Sequence, residues 1–154
     1  MKNTHRRIAR RRLDERLGTL GAPERFTPPP KGWIQAIRDA LGMTAAQLGA
    51  RLGVKPQTVA DLEKSEAQGT IQLNTLRKAA EAMDCTLVYA LVPNGSLEGM
   101  VRARAEAMAK DALGRIGHTM ALEGQELPKA RRQEQIDEYI RLHLKERNLW
   151  DRKS

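Results

Sequence analysis

Three histidines and one cysteine are the residue types best able to do chemistry near neutral pH, and their placement argues against a catalytic or metal centre. His5, His118 and His143 share no ligand spacing, and Cys85 has no companion ligand. No glycine-rich phosphate loop and no nucleophile elbow is present. His118 reads as a surface histidine and Cys85 as a buried thiol. Trp33 and Trp150 read as packing anchors, and Tyr139, Ile140 and Leu144 as residues that bury against a long helix. The chemistry left is non-covalent. Arg6, Arg7, Arg10, Arg11 and Arg12 form a block suited to polyanions. Thr119 and Glu123 are four apart and share a face if helical, and Gly124 frees space beside the carboxylate. No cofactor, no metal and no enzymatic activity are expected. An RNA-acting toxin or nuclease would need acid–base residues that are scarce here.

The charge distribution supports a binding role. The chain has 154 residues and a net charge of +8, and three-quarters of that excess lies in residues 1–31. Residues 32–93 are neutral overall and residues 94–154 carry +2. Blocks of this kind favour nucleic acid, the alternative being a solvated helix or tail. No apolar run approaches the ~18 residues of a membrane span. The N-terminal charge has no apolar stretch behind it, unlike a secretory signal, and Asp14 and Glu15 argue against an Arg-rich transit peptide. A single cysteine cannot form an internal disulfide, which fits a reducing cytoplasm.

Four segments must position these groups. Residues 1–31 form a basic arm and a linker. In the arm, Ala9, Leu13, Leu17 and Leu20 fall on one helical face, so a short docked amphipathic helix is expected. Pro28, Pro29 and Pro30 stiffen the linker. Residues 32–93 open with four or five short helical patterns and close with the β-branched, apolar run 85–92, ended by Pro93-Asn94-Gly95. That run reads as a strand, the alternative being one more buried helical segment. A lone strand cannot satisfy its own backbone, and the cheapest partner is its copy in a second chain, so a homodimer is expected. Residues 94–154 are helical again. Ser96 can cap a long helix carrying Leu97, Met100, Val101, Ala105, Met108, Ala112 and Ile116, which Gly114 and Gly117 weaken near its end. Pro128 opens another helix, expected to reach about Trp150 with Ile136, Ile140 and Leu144 on its apolar stripe.

The sharpest local signal is residues 43–63. Thr44 and Gln47 have the spacing of a capping box. Leu48 and Leu52 lie on the inner face of the helix so started, and Gly53 ends it. Pro56 suits the first turn of a second helix, whose Val59 and Leu62 face inward. Two short helices joined by a glycine-containing turn are what a DNA-reading motif requires.

These residues, within the stretch 33–83, resemble the phage-repressor-like (XRE, or Cro/C1) helix-turn-helix family, with residues 73–83 similar to the helix that follows the motif. The resemblance implies a mainly α fold: a five-helix DNA-binding domain with a short β-strand, followed by a helical extension. It implies that Pro56, Gln57 and Asp61 meet base edges and that Lys55, Thr58 and Lys64 lie near phosphates. Glutamine can bond bidentately to adenine, and aspartate can accept from cytosine. Two positions depart from the family pattern. Ala45 stands where a Gln is common, and Lys55 stands where a Ser usually caps the reading helix. Because residues 32–93 are neutral, the arginines of the arm are expected to supply much of the affinity for operator DNA.

A second resemblance covers nearly the whole chain. The order of arm, helix-turn-helix, "CTLVYALVP", "HTMALEGQ" and "LWD" is similar to the mobile mystery protein A family, companions of the Fic-domain mobile mystery protein B. Thr119, Glu123 and Gly124 fit the pattern Ser/Thr-x-x-x-Glu-Gly/Asn, by which antitoxins inhibit Fic adenylyl transferases. The Fic catalytic signature itself is absent. The resemblance implies a cytoplasmic bacterial antitoxin and autorepressor, bound to the nucleoid when on DNA, whose residues 94–154 neutralise a Fic toxin. The alternative is a plain phage- or plasmid-type repressor whose C-terminal helices only dimerise.

Overall fold

A computed structural model describes residues 2–121 and 128–152, with side chains described for residues 2–115 and 128–152. Among the described residues seven α-helices follow one another: α1 (Lys2–Gly18), α2 (Trp33–Ala40), α3 (Ala45–Leu52), α4 (Pro56–Ala67), α5 (Leu73–Ala82), α6 (Leu97–Ala121) and α7 (Lys129–His143). Single 3-10 turns lie at Pro23–Phe26 and Glu146–Asn148. The chain forms two compact units, one of residues Ala22–Leu91 and one of Met1–Gly21 together with Val92–Ser154. Among the described residues, no helix is long and apolar enough to cross a membrane, and no group of His, Cys, Asp or Glu could hold a metal ion.

The unit of residues 22–91 holds α2 to α5 around Ile34, Leu48, Val59, Ala79 and Met83, one or two side chains from each helix and its end. Each helix here is at most twelve residues long, too short to persist alone in water, so this shared apolar contact sustains them. Two polar devices fix α2 against α4. Glu66 accepts from the backbone N–H groups of Trp33 (3.1 Å) and Ile34 (2.8 Å), satisfying two of the donors that a helix start leaves unpaired. Gly32 lies just before, at φ 87°, where a Cβ would collide with the Glu66 carboxylate. Arg38 donates through Nε and Nη2 to the two oxygens of Glu63 and through Nη1 to the Met43 carbonyl (2.9 Å). Glu63 is only 8% exposed, and hydrogen bonding to it raises the Arg38 pKa above its usual value.

The expected five-helix count and the short strand are not found. The unit of residues 22–91 has four α-helices, and residues 85–92 adopt neither helix nor strand. The physical reason lies in how α5 ends. Asp84 takes a left-handed φ of 56°, the Asp84 N–H bonds to Glu81 O (3.0 Å) and the Cys85 N–H to Ala80 O (2.8 Å). This pair of bonds closes the helix and turns the chain away. Beyond it, no strand exists among the described residues for residues 85–92 to pair with.

In the other unit α1 packs on α6 and α6 on α7, with Ala105, Ala109, Ile136 and Leu149 buried. Ser96 Oγ accepts from Gly99 N–H (2.9 Å) at the start of α6, as its position predicts. Asp14 of α1 adds a second cap there, accepting from the N–H groups of Leu97 (2.7 Å) and Glu98 (3.2 Å). A carboxylate at a helix N-terminus meets both unpaired donors and the positive end of the dipole. α7 starts after Pro128 but stops at His143, short of the expected Trp150. The chain leaves the helix with Leu144 in an extended conformation and re-enters the unit through Leu149, whose carbonyl accepts from Arg104 Nε (2.6 Å).

Candidate nucleic-acid interface

The two helices of the motif and their turn form as the capping and glycine pattern requires. Thr44 Oγ1 accepts from Gln47 N–H (3.1 Å), and Gln47 Oε1 accepts from Thr44 N–H (2.8 Å). Gly53 closes α3 in the left-handed region at φ 70°. Gly49 sets how tightly the turn folds back. The Val54 N–H bonds to Gly49 O at 2.8 Å, and a Cβ on Gly49 would lie 2.7 Å from Val54 O. Pro56 occupies the first turn of α4, where a missing N–H costs nothing. Lys55 precedes it with an extended backbone and gives no side-chain cap, which is the consequence of having no Ser there.

Val59 is fully buried and Leu62 half-buried, and they anchor one face of α4. The other face carries Lys55, Pro56, Gln57, Asp61 and Lys64, all exposed, while Thr58 is half-buried at the edge. Gln57 Nε2 donates to Asp61 Oδ1 at 3.2 Å, so the two base-reading candidates hold each other in the free protein. An exposed pair of this type is worth about 0.2–0.5 kcal/mol. That is small beside the roughly 1–3 kcal/mol of one bidentate base contact, so the pair can be exchanged for DNA.

The arm is a helix and not a free tail. Arg6, Arg7, Arg11 and Arg12 are exposed on α1, with Arg11 also bonded to Glu15 (3.1 Å). Arg10 stands apart from the other arginines. Its side chain is 15% exposed, and it donates to Glu98 (2.7 Å) and Glu146 (2.8 Å). Those bonds, first the one to Glu146, raise the Arg10 pKa, and the bond from Arg10 holds Glu146 below the usual carboxylate value. The charge of Arg10 is therefore matched within its own unit.

Thr119 falls within α6, but its side chain lies outside the described residues, as do Glu123 and Gly124 entirely. Sequence reasoning missed Arg38, Glu63 and Glu66, which position α4 against α2. The signal was present in the spacing. Glu63 follows Val59 by four and Glu66 follows Leu62 by four, so both acids lie on the apolar stripe of α4. A charge at a core-facing position needs a partner.

Residues 34–89 match the family model described as Helix-turn-helix. No curated protein and no solved structure matches the chain. The matched residues run from the second residue of α2 through α5, with α3 and α4 at their centre. The chain thus carries a helix-turn-helix domain of the XRE type, the kind with which regulators bind DNA.

Proposed function

We propose that the protein is a transcriptional autorepressor and antitoxin. It reads an operator through α4 and neutralises a Fic-domain AMP transferase, similar to mobile mystery protein B, through residues 94–154. The observation that carries the DNA part is the exposed outer face of α4, with Gln57 and Asp61 on a helix that Val59, Arg38–Glu63 and the Gly49 turn hold rigid. In this reading Pro56, Gln57 and Asp61 meet bases. Lys55, Thr58 and Lys64 meet phosphates, joined by the exposed arginines of α1. The protein works in the bacterial cytoplasm, on the nucleoid when bound.

The toxin part rests on the resemblance and on the Thr119-x-x-x-Glu123-Gly124 pattern. The Glu123 carboxylate pairs with the toxin arginine that would otherwise hold the terminal phosphate of ATP, through a bidentate charge-assisted contact. Thr119 bonds near the nucleotide site, and Gly124 keeps the approach clear. ATP is then kept out of the productive pose, and positioning is a large part of the catalysis of such a transfer.

Two assays separate the parts. Operator selection followed by binding of Gln57→Ala should show relaxed preference at one adenine. Unchanged preference removes α4 from base reading. Growth of cells expressing the Fic protein should be rescued by the wild type and not by Glu123→Gly, which keeps DNA binding. Equal rescue by both assigns inhibition to other residues, and no toxicity to rescue leaves a plain repressor.

A further inference from the structure

We infer that the unit built from the two flanks of the chain holds a binding site for a nucleoside monophosphate, formed by Arg6, Arg147 and Trp150. These three residues line one cavity of about 340 Å³, within the roughly 300–1,000 Å³ usual for small-molecule sites. Arg6 lies on α1, whereas Arg147 and Trp150 lie in and just after the turn at Glu146–Asn148. Bonds between residues distant in sequence bring them together. Arg10 lies one helical turn after Arg6 on the same face of α1. It donates to Glu146 at 2.8 Å and so ties that turn to the helix. Leu149 is buried beneath, its carbonyl held by Arg104 Nε at 2.6 Å. Trp150 comes directly after this anchor and does not follow it inward. Expected from the sequence to be a packing anchor itself, Trp150 is 59% exposed.

The chemistry of the cavity selects the ligand. Arg10 and Glu146 also line it, but they are bonded to each other and their charges cancel. The guanidinium groups of Arg6 and Arg147 are exposed and make no hydrogen bond or ion pair with a described residue. Two open guanidinium groups suit a dianion, and phosphate oxygens match their planar forks. A phosphate monoester carries about −1.5 to −2 at pH 7. A phosphodiester inside a nucleic-acid strand carries a single charge and satisfies only one of the two arginines. Beside them stands an indole that meets no other ring among the described residues. An accessible tryptophan face is a platform on which nucleobases stack. Bare phosphate leaves that face unused, and a duplex keeps its bases inside and offers none to it. A nucleotide with a terminal phosphate uses both features. Arg6 serves a phosphate here as it does in the operator reading, so the two ligands would compete for it.

The test is calorimetric titration of the full chain with adenosine 5′-monophosphate. No DNA and no toxin is present, so failure of either part of the proposed function does not touch it. The dissociation constant should be about 0.1 mM or below. Adenosine and inorganic phosphate should each bind at least roughly tenfold more weakly, since each lacks one half of the recognition. Trp150→Ala should weaken binding roughly fivefold to a hundredfold, the range for loss of one base stack. Arg147→Gln should weaken it roughly tenfold or more, the loss of a charge-assisted bond. Both side chains are exposed, so both variants should keep the far-UV circular dichroism of the wild type. Nuclear magnetic resonance of the wild type gives an independent reading: the indole N–H signal of Trp150 should move as the nucleotide is added. The inference is overturned by no binding at millimolar nucleotide, by equal affinity for phosphate alone, by an unmoved Trp150 signal or by unchanged affinity in both variants. Tighter binding of a single-stranded oligonucleotide without a terminal phosphate overturns it too, in favour of a strand-binding groove.

Discussion

Replacing Arg38 with methionine should be among the most costly single changes in the helix-turn-helix unit. The substitution keeps most of the side-chain volume but removes both bonds to Glu63 and the bond to Met43 O. Glu63 is 8% exposed, so its carboxylate would be left with little water and without the Arg38 guanidinium. Breaking a buried pair in this way costs roughly 3–5 kcal/mol. The side chains retain 13% and 10% exposure, which places the expected loss near the lower end, about 3 kcal/mol. That corresponds to roughly a hundredfold shift in the folding equilibrium. The double variant Arg38→Met with Glu63→Leu removes the stranded charge and should recover most of the loss. Urea unfolding of the full chain, followed by circular dichroism, measures both. A cost below about 1 kcal/mol for Arg38→Met would refute the reasoning, because exposed ion pairs behave that way. A double variant no more stable than the single one would show that the Met43 carbonyl bond, and not the buried charge, dominates.

Three further outcomes are expected. Gly49→Ala places a Cβ 2.7 Å from Val54 O, so the turn must open at a cost of about 1–3 kcal/mol, visible as a lowered urea midpoint and weakened operator binding. Glu146 titrates below its usual value when folded, so its bond to Arg10 stabilises the helical unit above the unfolded pKa. That contribution disappears as pH falls from about 4.5 through the lower folded value, and Glu146→Gln should remove this part of the acid dependence in melts across that range. Replacing Arg6, Arg7, Arg11 and Arg12 together by alanine should flatten the slope of log affinity against log salt by up to roughly 3–4, at about 0.9 for each phosphate left without its arginine. Arg10→Ala should leave the slope unchanged and lower thermal stability instead.

The capping box, the Gly53 stop, Pro56 and the inward Leu48 and Val59 were all legible, because each is a local rule written within a few residues. The Ser96 cap was legible for the same reason. What escaped was set by partners distant in sequence. Asp14 caps a helix 83 residues away, and Arg10 reaches Glu146 across 136 residues. No periodicity in the arm marks either bond, so Arg10 looked equivalent to its neighbours. Residues 85–92 were misread for a different reason. Their β-branched composition states a preference for pairing, but among the described residues there is no strand to realise it. The expectation for α7 ran too long because its apolar stripe continues past His143, whereas Leu144 already takes an extended conformation and Leu149 beyond it is buried.

The division of the chain into Ala22–Leu91 and a unit built from its two flanks sets an order of birth on the ribosome. Every residue that the helix-turn-helix unit needs is available once residue 91 has emerged. Domains generally fold as units during synthesis, N-terminal parts first, and short-range helical structure forms quickly. The flanking unit has no such start. α1 is made before both partners of its lock, Glu98 and then Glu146. The arginine-rich helix must therefore wait, unlocked, until residue 146 has emerged. A message truncated after residue 91 would yield a helix-turn-helix unit that is complete and an α1 without its lock, whereas a product that includes Glu98 and Glu146 can lock α1 in place.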